Sequence, residues 1–195
     1  MVIYVGNVIA FSGIIDLAFC IDNSGSMIYR NPEELLEAVL DKFVAESVLE
    51  AAAVYEYQEE YEGVGEPNAV VIRGRTENYE DIRTSFSEIE FGSGTEYVWS
   101  ALLYISQFHS WGGARRVILV LTDEPGEDPE NKSLAISSCN SNNVDVYAAI
   151  LYEGPGFEEI EDTCSQTGGD SLREVDYYDG VSNFADRVFN MIFPQ

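Results

Sequence analysis

Ile14-Ile15-Asp16-Leu17-Ala18-Phe19-Cys20-Ile21 runs directly into Asp22-Asn23-Ser24-Gly25-Ser26-Met27, and the junction of these two stretches decides the fold. The first stretch is almost continuously apolar and of strand length, the pattern of a strand buried on both faces. In the second, Asp22, Ser24 and Ser26 recur at every second residue. A chain that continues in extended form turns these three oxygen side chains to one side. Carboxylate and hydroxyl oxygens are hard donors of the type Mg2+ or Mn2+ takes. Gly25 lets the backbone bend between them, and the helical pattern that follows sets a helix N-terminus beside the group.

Working outward, the chain alternates between the strand and helix periods. Met1 to Ile9 reads as a leading strand, with Ser12-Gly13 as the break before the central one. Met1 to Phe11 is apolar but lacks a basic start and a clean cleavage site, so it is not read as a signal peptide. Asn31-Pro32-Glu33-Glu34 predicts a helix start, with Asn as cap, Pro at the first position and acids in the first turn. Leu35, Leu36, Val39, Leu40, Phe43 and Val44 continue it as an apolar face. Ala51 to Tyr57 and Ala69 to Arg73 read as the strands of a hairpin around the acidic turn Glu59 to Glu66. Glu56, Glu59, Glu60 and Glu62 lack EF-hand spacing and read as its solvated tip.

Helical patterns cover Tyr79 to Ile89 and Glu96 to Phe108, the latter preceded by Gly92-Ser93-Gly94 and closed by Trp111-Gly112-Gly113. No Gly-Lys-Ser or Gly-Lys-Thr follows the first glycines, which excludes a P-loop. His109, the only histidine, reads as a surface residue at a helix end. Arg115 to Asp123 is an apolar run closing on an acid, as expected of a central parallel strand with a site at its carboxyl edge. Asn131 to Ser138 reads as helix, Val144 to Tyr152 as strand, and Phe157 to Gln166 as a helix closed by Gly168-Gly169. Leu172 to Val175 is a short strand and Val181 to Phe193 a closing amphipathic helix. This alternation predicts an α/β, doubly wound (Rossmann-like) architecture, with residues 1–195 as one domain and its core at about 14–193.

The charge narrows the function. Thirty-five acidic residues against ten basic ones leave −25, with only two lysines, Lys42 and Lys132. Nucleic acid and anionic membrane surfaces both require clustered Lys and Arg, so neither is an expected partner. No stretch is long enough to span a membrane. Three cysteines are too few for a disulfide scaffold and match no zinc spacing. Cys20 is expected as a buried thiol. Cys139 and Cys164, on helices flanking one strand, are expected as near neighbours, with a disulfide and two free thiols both open.

Asp22-x-Ser24-x-Ser26 resembles the opening of the metal-ion-dependent adhesion site of von Willebrand factor A (vWA) domains. In that family a distant Thr and a distant Asp complete the site. The matching positions here are Thr95, in Phe91-Gly92-Ser93-Gly94-Thr95, and Asp123, in Val120-Leu121-Thr122-Asp123. The three pieces follow the family's order, each at a strand–loop junction, and the likeness spans roughly Ile14 to Phe193. It implies a mostly parallel sheet with helices on both faces and one antiparallel edge strand, the second strand of the hairpin. It further implies that Asp22, Ser24, Ser26, Thr95 and Asp123 hold Mg2+, with Mn2+ or Ca2+ as substitutes. The ion would then capture a Glu or Asp carboxylate of a partner protein, and the closing helix would shift to tune affinity.

Such a ligand set suits binding rather than catalysis. Two carboxylates and three neutral hydroxyls leave a dication short of anionic oxygen and open to one more. A haloacid-dehalogenase-like phosphatase would need an acid where Ser24 stands and a lysine in a site loop. A serine hydrolase would need a histidine base beside Ser24 or Ser26, and His109 has no such context. The domain is therefore expected not to be an enzyme. Two departures from the family bear on affinity: Glu124 follows the site Asp where Gly is common, and Glu96-Tyr97 follow Thr95 where a small hydroxyl residue is common. Two settings fit, an extracellular or cell-surface adhesion module and a cytoplasmic docking module of a chelatase-type ATPase system.

Overall fold

The computed structural model describes residues 14–57, 69–92, 97–173 and 180–194. The predicted leading strand, the hairpin turn, Thr95, and positions 174 and 175 of the last strand lie outside them.

Seven consecutive buried residues make β1 (Ile15–Ile21) the middle of the sheet. β2 (Leu49–Tyr57) and β4 (Arg115–Thr122) flank it, both in parallel. β3 (Ala69–Thr76) pairs antiparallel with β2 at one edge. β5 (Val144–Ile150) and β6 (Ser171–Arg173) continue in parallel on the other side, giving the order β3-β2-β1-β4-β5-β6. The mostly parallel sheet with one antiparallel edge strand is thus the one the sequence implied.

Alternation along β1 divides the core into two layers. Ile15, Leu17, Phe19 and Ile21 face α1 (Pro32–Ala45), α2 (Tyr79–Phe86) and α6 (Val181–Ile192). Their contacts are aromatic-rich: Phe19 meets Phe86 edge-on at 5.3 Å, and Phe43 meets Phe189 at 5.5 Å. On the other face Ala18, Cys20 and Ala53 are small, which admits α3 (Val98–Phe108) with its fully buried Trp99. α4 (Lys132–Asn142) and α5 (Glu158–Gln166) complete that layer. Burying a side chain such as Leu36 or Phe43 contributes about 1.5–3 kcal/mol each, so the two layers, not local propensity, hold the helices in place.

Several local expectations change. Asn31 occupies the position before α1 but adopts a left-handed backbone, φ 49°, and its side chain caps nothing. A capping side chain works from the extended region, so Asn31 serves here as a residue tolerant of positive φ. α4 runs on to Asn142, where Asn143 ends it at φ 53°. β6 starts one residue earlier than expected, at Ser171. Gly169 is required by close approach: a Cβ there would lie 1.8 Å from the Val146 carbonyl oxygen.

His109 is not on the surface. It ends α3, but it is only 5% exposed, packed between Tyr55 and Trp111, with Nδ1 2.7 Å from the Tyr55 hydroxyl. Glu56 likewise is buried in β2 rather than solvated at a tip, and burial raises its carboxyl pKa. Cys20, Cys139 and Cys164 share one apolar cluster as free thiols, with no bridge between Cys139 and Cys164. Burial pushes Cys139 up to about 12 and raises the other two, so none is a nucleophile at neutral pH.

Candidate metal centre

Three segments meet at the carboxyl edge of the sheet. The β1–β4 ladder extends one residue past β1, where the Asp22 N–H donates to the Leu121 carbonyl at 2.9 Å. This sets the start of the 22–26 loop beside the end of β4. The segment after α2 is tied to the same loop by the Gly92 N–H donating to the Asn23 carbonyl, 2.8 Å. Gly92 has φ 145°, inside the region that favours glycine. A 3-10 turn, Met27–Arg30, then leads into α1.

Asp22 is fully buried and held by donors on both oxygens. Oδ1 accepts from the Ser24 N–H at 2.8 Å; Oδ2 lies 2.7 Å from Thr122 Oγ1 and 3.3 Å from the Asp123 N–H. A carboxylate so engaged fixes the shape of both loops at once. In front of it the Ser24 and Ser26 hydroxyls stand 2.8 Å apart. Ser26 Oγ is also 2.8 Å from Asp123 Oδ1 and 3.0 Å from Glu124 Oε1. The other oxygen of Asp123, Oδ2, takes the Arg30 Nε–H at 3.0 Å.

The proton count of this group is informative. A serine hydroxyl carries one hydrogen. Ser24 and Ser26 together therefore cannot donate to each other and to both carboxylates. One acid oxygen beside Ser26 is left facing lone pairs, a surplus of acceptors that a cation relieves. Asn23 adds another buried acceptor on this loop, its Oδ1 having no partner among the described residues. Hard oxygens in excess, with no thiol or imidazole among them, fit a divalent ion of the Mg2+ class. Among the described residues no three acidic, His or Cys side chains converge on one point, so such an ion would draw on hydroxyls as well as carboxylates.

The structure thus brings together four of the five anticipated residues, Asp22, Ser24, Ser26 and Asp123; Thr95 lies outside the described residues. Gly25 has an ordinary φ, and a Cβ there would meet nothing within 4 Å, so the bend does not require it. Sequence reasoning missed Thr122 and Arg30. Thr122 had a signal, since a hydroxyl one residue before the site acid projects from the strand end beside β1. Arg30 had none beyond its place four residues after Ser26. Also missed was Asp128, whose buried carboxylate accepts from the N–H groups of Trp99 (3.2 Å) and Ser100 (2.7 Å) and from Ser100 Oγ (2.6 Å). It seats the first turn of α3 from the β4–α4 connection.

Residues 16–171 match the family model for the von Willebrand factor type A domain. The chain belongs to this family. Solved structures agree on the vWA fold at low identity. An aerotolerance-related membrane protein from Bacteroides fragilis superposes with TM-score 0.66 at 14% identity, covering 93% of this chain and 100% of that one. A von Willebrand factor type A protein from Catenulispora acidiphila gives 0.62 at 17%, covering 92% and 43%. Proximal thread matrix protein 1 from the mussel byssus gives 0.68 at 16%, covering 93% and 47%. No curated protein matches the chain significantly. Domains of the vWA family are in general protein-interaction modules, mostly without catalytic activity, and no described helix here is long and apolar enough to cross a membrane.

Proposed function

We propose that this vWA domain captures an acidic side chain of a partner protein through a divalent cation at the carboxyl edge of its sheet. Ser24, Ser26 and Asp123 would hold the ion, with Thr95 as the family pattern implies, and Asp22 would support them from behind. Mg2+ is the favoured ion, with Mn2+ or Ca2+ as substitutes. When bound, the ion supplies a Lewis-acid position for one further anionic oxygen. The observation that carries this reading is the surplus of acceptor oxygens around Ser26 Oγ. Met27–Arg30 and Phe91 adjoin the loop, where Ile28 and Tyr29 stand 53% and 82% exposed. Large apolar side chains in the open beside an ion site suit a protein partner rather than a small solute.

Isothermal titration with Mn2+ tests the reading. Wild-type protein should show one saturable site above the weak background of an acidic surface, and Asp123→Asn should lose it. Equal binding by both would overturn the assignment. A metal-loaded partner complex, once a partner is in hand, should dissociate in chelator.

A further inference from the structure

We propose that Glu124 and Arg30 form a compensating pair that sets the charge of the ion site: Glu124 supplies a third carboxylate because Arg30 cancels one of the other two. This rests on the metal-binding reading above and goes beyond it, assigning two residues that the five-ligand set does not contain.

Arg30 is the starting point. Its Nε lies 3.0 Å from Asp123 Oδ2, and the Asp123 side chain is only 2% exposed, so the guanidinium faces a nearly desolvated carboxylate. At that distance a fixed positive charge opposes a dication seated on the other oxygen of the same group. With Asp22 and Asp123 as the only acids, the site would present a single net negative charge to a dication, a weaker hold than two would give. Glu124 restores the balance. It is the next residue after Asp123, is half-buried, and turns Oε1 inward to 3.0 Å from Ser26 Oγ instead of outward to solvent. Among the described residues, and counting Asp22 as a charge behind the hydroxyls and not as a third converging ligand, three carboxylates less one guanidinium leave two negative charges, the neutralisation that two acids without the arginine would provide.

The backbone of Glu124 is anchored beside the site. The Glu124 N–H donates to Thr122 Oγ1 at 3.1 Å, and the Glu124 carbonyl lies 2.8 Å from the same hydroxyl. Thr122 Oγ1 is itself 2.7 Å from Asp22 Oδ2, so the loop carrying Glu124 is locked to the buried acid. From that anchored backbone the carboxylate reaches Ser26 Oγ, which places it within the ion site.

Removing either charge should move affinity in opposite directions, and removing both should cancel. Mn2+ titration of Glu124→Gln should weaken binding roughly tenfold, and Arg30→Gln should strengthen it roughly tenfold, as expected for one charge removed near the ion. The double substitution should return to within about threefold of wild type, because the net charge is restored. Water-proton relaxation by bound Mn2+ gives a second readout: Glu124→Gln should raise it, one carboxylate oxygen having been exchanged for water. Thermal melts confirm that each variant is folded before titration. Weaker binding in both single variants, or in the double variant more than in either, would mean that the residues only hold the loop and would overturn the pairing while leaving the metal site standing. Absence of Mn2+ binding in wild type and all variants alike would remove the metal reading and the pairing with it.

Discussion

Asp16 offers the sharpest test of how this fold is held, because a charged group stands inside the central strand. It is fully buried at the start of β1. Its Oδ2 accepts from Arg75 Nε at 2.7 Å and from the Gly112 N–H at 2.5 Å, and its Oδ1 lies 3.6 Å from His109 Nε2. Asp16→Asn keeps the shape and removes the charge. Breaking a buried pair from one side costs about 3–5 kcal/mol. Arg75 is 22% exposed and keeps Glu50 at 2.6 Å, so it rehydrates in part and the cost falls at the lower end, about 3 kcal/mol. For a chain of this size that corresponds to a fall in Tm of about 6–12 °C. The pH dependence has a definite sign. Burial alone would raise the Asp16 pKa, but contacts with His109, Arg75 and Gly112 hold it below the ordinary aspartate value. Its contribution is therefore complete above that ordinary value and is lost as pH falls through the lower, folded one. Calorimetric scans of both proteins at a series of pH values should show a gap that narrows on acidification. Asp16 and Asp22 are roughly 20 Å apart along the strand, so Mn2+ affinity should not change. A loss below about 1 kcal/mol at pH 7, or a gap independent of pH, would refute the reasoning.

Other expectations follow from single contacts. Asp128→Ala removes the acceptor at the start of α3 and should cost about 1–2 kcal/mol, read by urea denaturation. Burial, outweighing the bonds from Ser100, Trp99 and Asn131, raises the Asp128 pKa, so its stabilising effect should weaken as pH rises from the ordinary aspartate range through the raised value, opposite to Asp16. Mass spectrometry after alkylation should find all three thiols free in unreduced, denatured protein and protected in the native state. Mn2+ at about a hundred times its dissociation constant should stabilise the fold by about 2.7 kcal/mol, visible as a concentration-dependent Tm that chelator abolishes.

Much of the architecture was legible in the chain because it rests on local periodicity. Ile15 to Ile21 and Arg115 to Thr122 read as strands from their apolar runs and length, and Leu35 to Phe43 reads as an amphipathic helix from its period. The order of Asp22-x-Ser24-x-Ser26 and Asp123 then named the loops at one edge of the sheet. His109 and Glu56 were misplaced for one reason: a polar side chain has no period, and its burial depends on partners far away in sequence. Tyr55 lies 54 positions from His109, and nothing local announces that contact.

Strand and helix identity and their alternation were thus determined by the sequence itself, through spacing and hydrophobic burial that act over a few residues at a time, and the candidate acids were marked by their likeness to the vWA pattern. Side-chain direction was decided only in the folded chain. Arg30 and Glu124 come within reach of the same serine–aspartate group across 93 and 98 positions. Arg75 finds Asp16 across 59, and Asp128 finds Ser100 across 28. Each pairing needs the sheet order and the two helical layers to exist first, because a charge settles where burial removes water and a partner replaces it.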